Sequence, residues 1–228
     1  DDKFPPFLAG QAVDGHLGRG LPHMLADPQA FTHQFRAILT AGAACDLRVM
    51  IPMVATVDEL AACAKILAGV AAELDVATPP IGAMIELPEA VGIADELAGE
   101  AGFFSIGSND LTSQILGLDR RDPNVSPALA AHPRVLQAID RTVRAAHLNG
   151  IRVSVCGDAA AHPLVIPLLI GLGCDVLSVA PAALDETRVR IRRLDTRECA
   201  GVAAEALGCE TLESVQRIVR RRCWPSMP

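Results

Sequence analysis

Residues 81–120 read IGAMIELPEAVGIADELAGEAGFFSIGSNDLTSQILGLDR, and the fold is decided in this stretch. Two short apolar runs, Ile81–Ile85 and Phe103–Ile106, each end in a polar turn. Glu86 closes the first, and Pro88 just after it suits the first turn of a helix, where its missing N–H has no partner to lose. The second stops at Gly107 and passes through Ser108, Asn109 and Asp110 into helical spacing. Strand, helix, strand, helix is the rhythm of a parallel sheet. The carboxyl ends of neighbouring parallel strands open on one mouth, which is where α/β enzymes keep their chemistry. Glu86 and the Asn109-Asp110 pair are therefore expected to share that mouth.

The rhythm continues in both directions. Downstream, a Pro/Asp-rich loop over 119–133 precedes a helix from about Val135 to Leu148, which stops at Asn149-Gly150. Strand Ile151–Val155 runs into Cys156-Gly157-Asp158, followed by a helix around Leu164–Leu172, a strand Asp175–Val179, and helices near 184–193, 197–206 and 211–222. Upstream, Leu47–Met53 is a β-branched run ended by Pro52, and Thr56 and Glu59 have capping-box spacing at the start of a helix reaching about Leu74. Phe31, Phe35, Ile38 and Leu39 recur at helical spacing after Asp27-Pro28, and the many Gly and Pro residues of 1–27 read as an ordered loop. An open doubly wound sheet would gather its polar residues at one switch point, whereas a barrel shows them after strand upon strand. Here they follow three consecutive strands. The expected fold is α/β of the (β/α)8 barrel type, with about five parallel βα units over residues 1–228.

Composition narrows the function. A net charge of -7 with 3% aromatic residues leaves no basic footprint and no stacking platform for a nucleic acid. The most apolar stretch, Pro163 to Cys174, is too short to span a bilayer and reads as a buried helix. Seven cysteines without a C-x-x-C pair argue against a disulfide framework and fit a reducing cytoplasm. The chain starts at Asp1 rather than Met, which suits a fragment or a processed product.

Glu86 and Asp110, two carboxylates at adjacent strand ends, suit a hard cation such as Mg²⁺, which takes one or two protein carboxylates and leaves positions for substrate oxygens. No histidine clusters with them, which disfavours zinc. Read structurally, the same residues cap the helices that follow. On either reading both are expected to stay out of the core. Backbone N–H groups at Ser108-Asn109-Asp110 can face a phosphate, and Arg120 is either an anion clamp at the mouth or a solvated loop arginine beside Asp119 and Asp122. Cys156 is either a proton donor or a small buried hydrophobe, and the other six cysteines are assigned to the second role. The arginine-rich stretches at 188–193 and 217–222 read as solvated helix ends.

Several motifs carry a resemblance. GAMIELPEAV, FFSIGSNDLT followed by LDR, VSVCGDAA, LRVMIPM and the opening DKFPPFL resemble the C-terminal barrel of the phosphoenolpyruvate-utilising enzymes, closest to enzyme I of the bacterial sugar phosphotransferase system. The likeness covers essentially the whole chain in order. It implies that phosphoenolpyruvate binds with Mg²⁺ and passes its phosphoryl group to a histidine on a mobile domain, then to a downstream phosphocarrier, leaving pyruvate. It also implies a cytoplasmic homodimer. By position, Glu86 and Asp110 match the metal ligands, Asn109, Asp110 and Arg120 match substrate contacts, and Cys156 matches the acid that protonates the enolate carbon. Arg19 in LGRG matches a further substrate arginine, although one residue of the family's pattern is missing before it. Three departures stand out: Pro22 replaces an arginine, Ser113 a glutamine, and Asp158 a glutamate. The first strands of the family barrel, two more substrate arginines and the phosphohistidine domain are expected to lie outside these residues. Pyruvate phosphate dikinase and phosphoenolpyruvate synthase share the barrel. A Mg²⁺-dependent carbon–carbon lyase and a non-catalytic binding module are the alternatives of other kinds.

Overall fold

The computed structural model describes residues 21–26, 28–119, 122 and 125–224. Val49–Ile51 (β1), Ile81–Ile85 (β2), Phe103–Gly107 (β3), Arg152–Cys156 (β4) and Val176–Leu177 (β5) form one sheet in the order β1-β2-β3-β4-β5. Every neighbouring pair is parallel. Spatial order equals chain order, so the winding never reverses as it would at a switch point. This is barrel-type winding, and among the described residues β1 and β5 each pair on one side only.

The crossovers are helical. Leu21–Leu25 (α1) and Pro28–Gly42 (α2) precede the sheet, Val57–Glu73 (α3) joins β1 to β2, and Pro88–Gly92 (α4) with Ala94–Glu100 (α5) joins β2 to β3. Ser108–Leu116 (α6) and Pro133–Leu148 (α7) join β3 to β4, Ile166–Gly171 (α8) joins β4 to β5, and Leu184–Ile191 (α9), Thr196–Leu207 (α10) and Leu212–Cys223 (α11) follow. The capping box read from Thr56 and Glu59 is present, with Thr56 Oγ1 accepting the Glu59 N–H at 3.3 Å and Glu59 Oε2 accepting the Thr56 N–H at 3.2 Å. Among the described residues, no helix is long and apolar enough to cross a membrane.

Register sorts the strand residues onto two faces. Val49, Ile51, Ala83, Ile85, Phe104, Ile106, Val153 and Val155 share one face and are all buried in the helix-covered core. Met50, Met84, Ser105, Ser154 and Cys156 share the other. The apolar face supplies the packing energy, at roughly 25 cal/mol per Å² of buried surface. The second face carries polar and sulfur-bearing side chains together with Phe103, whose ring covers Gly82.

Some expectations are corrected. Residues 21–25 are helical rather than loop, because Leu21, Met24 and Leu25 fall on one side at helical spacing and Pro22 lies where no N–H partner is needed. The single helix that Pro88 was expected to open is broken at Ile93, where the Arg141 guanidinium donates to the Gly92 carbonyl at 2.5 Å. The last strand shrinks to Val176–Leu177, and the 119–133 loop contains a short 3₁₀ turn, Pro127–Ala131, capped by Ser126. Of the six cysteines assigned to burial, Cys63 and Cys199 are buried, Cys45 is exposed, and the other three are half-buried.

Asp175 fastens β4 to β5. Its carboxylate accepts the Val153 N–H at 2.8 Å and meets His147 Nε2 at 3.1 Å, while its own N–H donates to the Val153 carbonyl at 2.9 Å. Burial alone would raise its pKa, but the Val153 and His147 hydrogen bonds outweigh that and hold it below its ordinary value of 3.8. A depressed folded-state pKa means that the contribution is complete above 3.8 and disappears as the pH falls through the folded value. Asp175→Ala, which orphans the Val153 N–H, is expected to lower unfolding free energy by about 1–3 kcal/mol near neutral pH. In urea titrations its deficit against wild type should narrow on acidification below 3.8; a pH-independent deficit would remove the carboxylate from this role.

Candidate active site

The site is built at the carboxyl ends of β2, β3 and β4. Gly107 and Cys156 are register partners across β3 and β4, and a Cβ at Gly107 would lie 2.9 Å from both Cβ and Oε2 of Glu86. Glu86, Gly107 and Cys156 thus form a row along three strand ends. The row exists because Gly107 has no side chain. Glu86 is only 4% exposed, so the expectation that it would stay out of the core is corrected. Its Oε1 accepts the N–H of Met53 at 2.7 Å, which ties the end of β1 to the same row. Met53 has a φ of 57°, a left-handed conformation that a non-glycine residue rarely takes without other contacts to hold it.

Asp110 is half-buried in the first turn of α6. Neither carboxylate caps a helix. Leu87 and Gly107 occupy the N-cap positions of α4 and α6, and neither end has a side-chain cap bond. Asn109, beside Asp110, makes a reciprocal pair across the mouth, its Nδ2 donating to Asp158 Oδ2 and its Oδ1 accepting the Asp158 N–H, both at 3.1 Å. Arg120 and Arg19, like the DKFPPFL stretch, lie outside the described residues.

Cys156 is half-buried with its Sγ 3.5 Å from the Ile106 carbonyl, to which the thiol donates. Burial raises its pKa first of all; a Ser105 hydrogen bond lowers it, and the Glu86 and Asp110 carboxylates raise it again. The thiol therefore keeps its proton. Burial also pushes Cys63 up to about 11 and Cys174 up to about 12. Cys156 is thus distinguished by its place beside two carboxylates at the mouth rather than by its pKa.

Sequence reasoning did not single out Met53, the last residue of the LRVMIPM run, nor the Ser108 hydroxyl, which donates to the Cys156 carbonyl at 2.6 Å. It also missed a cavity of about 270 Å³ beside α6, lined in part by Asn109, Thr112, Ser113, Ser126 and Asp158. The hydroxyls of Thr112 and Ser113 are buried there without a hydrogen-bond partner among the described residues. The resemblance marks Ser113 as a departure, and that was its only sequence signal.

Comparison with known proteins identifies the family. Residues 11–196 match the family model of the PEP-utilising enzyme, PEP-binding domain, where PEP is phosphoenolpyruvate. The chain belongs to this family. It is 39% identical to a multiphosphoryl transfer protein of Xanthomonas campestris over 90% of this chain and 25% of that protein. It is 34% identical to a phosphoenolpyruvate-protein phosphotransferase of Listeria monocytogenes over 96% of this chain and 40% of that protein. The chain thus spans between a quarter and two fifths of the length of these curated relatives. A solved citrate lyase from Burkholderia xenovorans superposes with a TM-score of 0.58 over 90% of this chain and 80% of that one. At 18% identity this likeness concerns the fold alone.

Because Glu86 is buried and bonded to Met53, removing it acts on the fold as well as on the mouth. Glu86→Ala is expected to destabilise by about 1–3 kcal/mol, whereas Glu86→Gln, which retains an acceptor for Met53, should recover most of that loss. Thermal and urea unfolding of the two variants measures it. Equal stability of wild type and Glu86→Ala would contradict the Met53 contact.

Proposed function

We propose that this chain supplies the phosphoenolpyruvate site of an enzyme I-like phosphotransferase, in which the phosphoryl group passes to a histidine on a separate domain and pyruvate is released. The observation that carries this reading is the row of Glu86, Gly107 and Cys156, with Asp110 beside it. A pair of carboxylates and a protonated thiol at one mouth match the two needs of the reaction, charge neutralisation at phosphate and a proton for carbon. The names of the curated relatives support the same chemistry.

The residues present fit Mg²⁺. Glu86 and Asp110 offer hard oxygens, and among the described residues no group of three or more His, Cys, Asp and Glu side chains is placed to hold a metal ion by itself. A site with two protein carboxylates completed by substrate oxygens and water is the kind this ion takes. When bound, it would neutralise developing charge on the phosphoryl and enolate oxygens. Asn109 holds its carboxamide toward the mouth through Asp158 and keeps a second N–H for a substrate oxygen. Arg120 and Arg19 are proposed to bind the phosphate and carboxylate.

In the reaction, the bond from phosphorus to the enol oxygen breaks and a bond from phosphorus to the histidine nitrogen forms. The enolate left behind takes a proton at its methylene carbon from the Cys156 thiol, and the thiolate is reprotonated by solvent. The elevated thiol pKa suits this order, since the proton stays on sulfur until a strongly basic carbon arrives. The phosphohistidine domain, the downstream phosphocarrier and homodimerisation belong to the same proposal.

Two measurements test it. In titration calorimetry, Glu86→Gln and Asp110→Asn should each remove Mg²⁺-dependent phosphoenolpyruvate binding, and unchanged affinity in both would refute the metal assignment. Exchange of pyruvate methyl protons with D₂O, followed by NMR, isolates the carbon protonation step without the second domain. With Mg²⁺ present, Cys156→Ala should slow this exchange by about 10²-fold or more while leaving pyruvate affinity within about twofold. Exchange at the wild-type rate in Cys156→Ala would refute the proton-donor role.

A further inference from the structure

We infer that Cys199 and Cys223 form an oxidation site, a dithiol that a low-molecular-weight disulfide converts to an intramolecular disulfide fastening the end of α11 to the start of α10. The inference is independent of the phosphoenolpyruvate reading and concerns the last two helices.

The pairing starts from periodicity. On α10 the buried positions are Cys199, Val202, Ala203 and Ala206, and on α11 they are Val215 and Val219, a series that Cys223 continues at the next helical interval. The short link over 208–211 turns the chain back, so the end of α11 returns to the start of α10. The neighbours of the two cysteines record that return. Arg222 Nε lies 3.9 Å from Glu198 Oε1 and Arg222 Nη1 3.4 Å from Glu205 Oε2, and Gly201 leaves room for the guanidinium, since a Cβ there would stand 3.3 Å from Nη2. On the other side of Cys223, Trp224 donates its indole N–H to the Pro163 carbonyl at 2.8 Å. Cys223 is thus held on both sides, and its thiol makes a side-chain hydrogen bond with that of Cys199. Cys209, the other cysteine of this hairpin, donates instead to the Glu205 carbonyl at 3.6 Å.

Exposure gives the two thiols different parts. Cys223 is half-buried and can be reached from solvent, whereas Cys199 is fully buried behind it. In the first step the Cys223 thiolate attacks one sulfur of the small disulfide, forming a mixed disulfide and expelling the other half as a thiolate. In the second the Cys199 thiolate attacks the Cys223 sulfur, forming the Cys199–Cys223 bond and expelling the remaining half. Two protein thiols are oxidised, one small disulfide is reduced to two thiols, and the two protons pass to the departing thiolates. Burial, ahead of the neighbouring Cys199 and Glu198, pushes Cys223 up to about 12, and burial is also the first cause of the raised Cys199 value. Thiolate is therefore scarce near neutral pH, and closure speeds up as the pH is raised.

The test incubates the native full chain with oxidised glutathione at about pH 8.5, where more thiolate is present, and maps the cysteines by peptide mass spectrometry. Wild type is expected to yield a Cys199–Cys223 link with no glutathione left on Cys223. Its melting temperature should rise by about 5 °C or more and return on treatment with dithiothreitol, whereas Cys223→Ser treated alike should not shift. Cys199→Ser should accumulate the mixed disulfide at Cys223, and Cys209→Ser should close as wild type does. A wild-type chain that stays unlinked, or that stops at a glutathione adduct on Cys223, would overturn the inference. So would a link that leaves the melting temperature unchanged. Each of these outcomes is read on the wild type, so poor folding of a serine variant leaves the decision intact.

Discussion

The arrangement of this site depends on one close approach, that of the Glu86 carboxylate to the bare Cα of Gly107. Any side chain at 107 would occupy the space of Glu86 Cβ and Oε2. With that space open, the carboxylate folds over the end of β3 and reaches the Met53 N–H at the end of β1, while Cys156 stands in register on the other side of Gly107. A carboxylate this buried is tolerated only with charge-assisted partners, because desolvation of an unpaired charge costs several kcal/mol. The Met53 N–H is one such partner. The polar end of the sheet is therefore a strained and hydrogen-bonded assembly, with Met53 at positive φ among its members.

That assembly is carried by a scaffold whose stability comes from elsewhere. The strand face packed beneath the helices is built of Val49, Ile51, Ala83, Ile85, Phe104, Ile106, Val153 and Val155, all buried. The opposite face presents Met84, Ser105, Ser154 and Cys156 in the same register. Because side chains alternate along a strand, a residue chosen for chemistry at 86, 105 or 156 does not compete for space with one chosen for packing at 85, 106 or 155. The departures from the family pattern fit within this division. Asp158 meets Asn109 at 3.1 Å, and Ser113 leaves its hydroxyl at a cavity beside the mouth. Pro22 is absorbed into the first turn of a short helix.

The amino-acid sequence by itself determined the order of strands and helices, because apolar runs that end in Glu86, in Gly107-Ser108-Asn109-Asp110 and in Cys156-Gly157-Asp158 are local signals, as is the capping box at Thr56. It also determined which polar residues would stand at the strand ends. Element boundaries were less legible where a distant side chain intervened: at the break between α4 and α5, the Gly92 carbonyl is taken by Arg141, 49 residues away. Only the tertiary structure decided how the site residues meet. Whether Glu86 was a cap or a buried member of the mouth turned on the absent Cβ of Gly107 and on Met53, both remote in sequence. The same holds for Ser108, 48 residues from the carbonyl it holds. Register between parallel strands sets such contacts, and register is fixed by packing of the whole sheet under its helices, which no window of neighbouring residues contains.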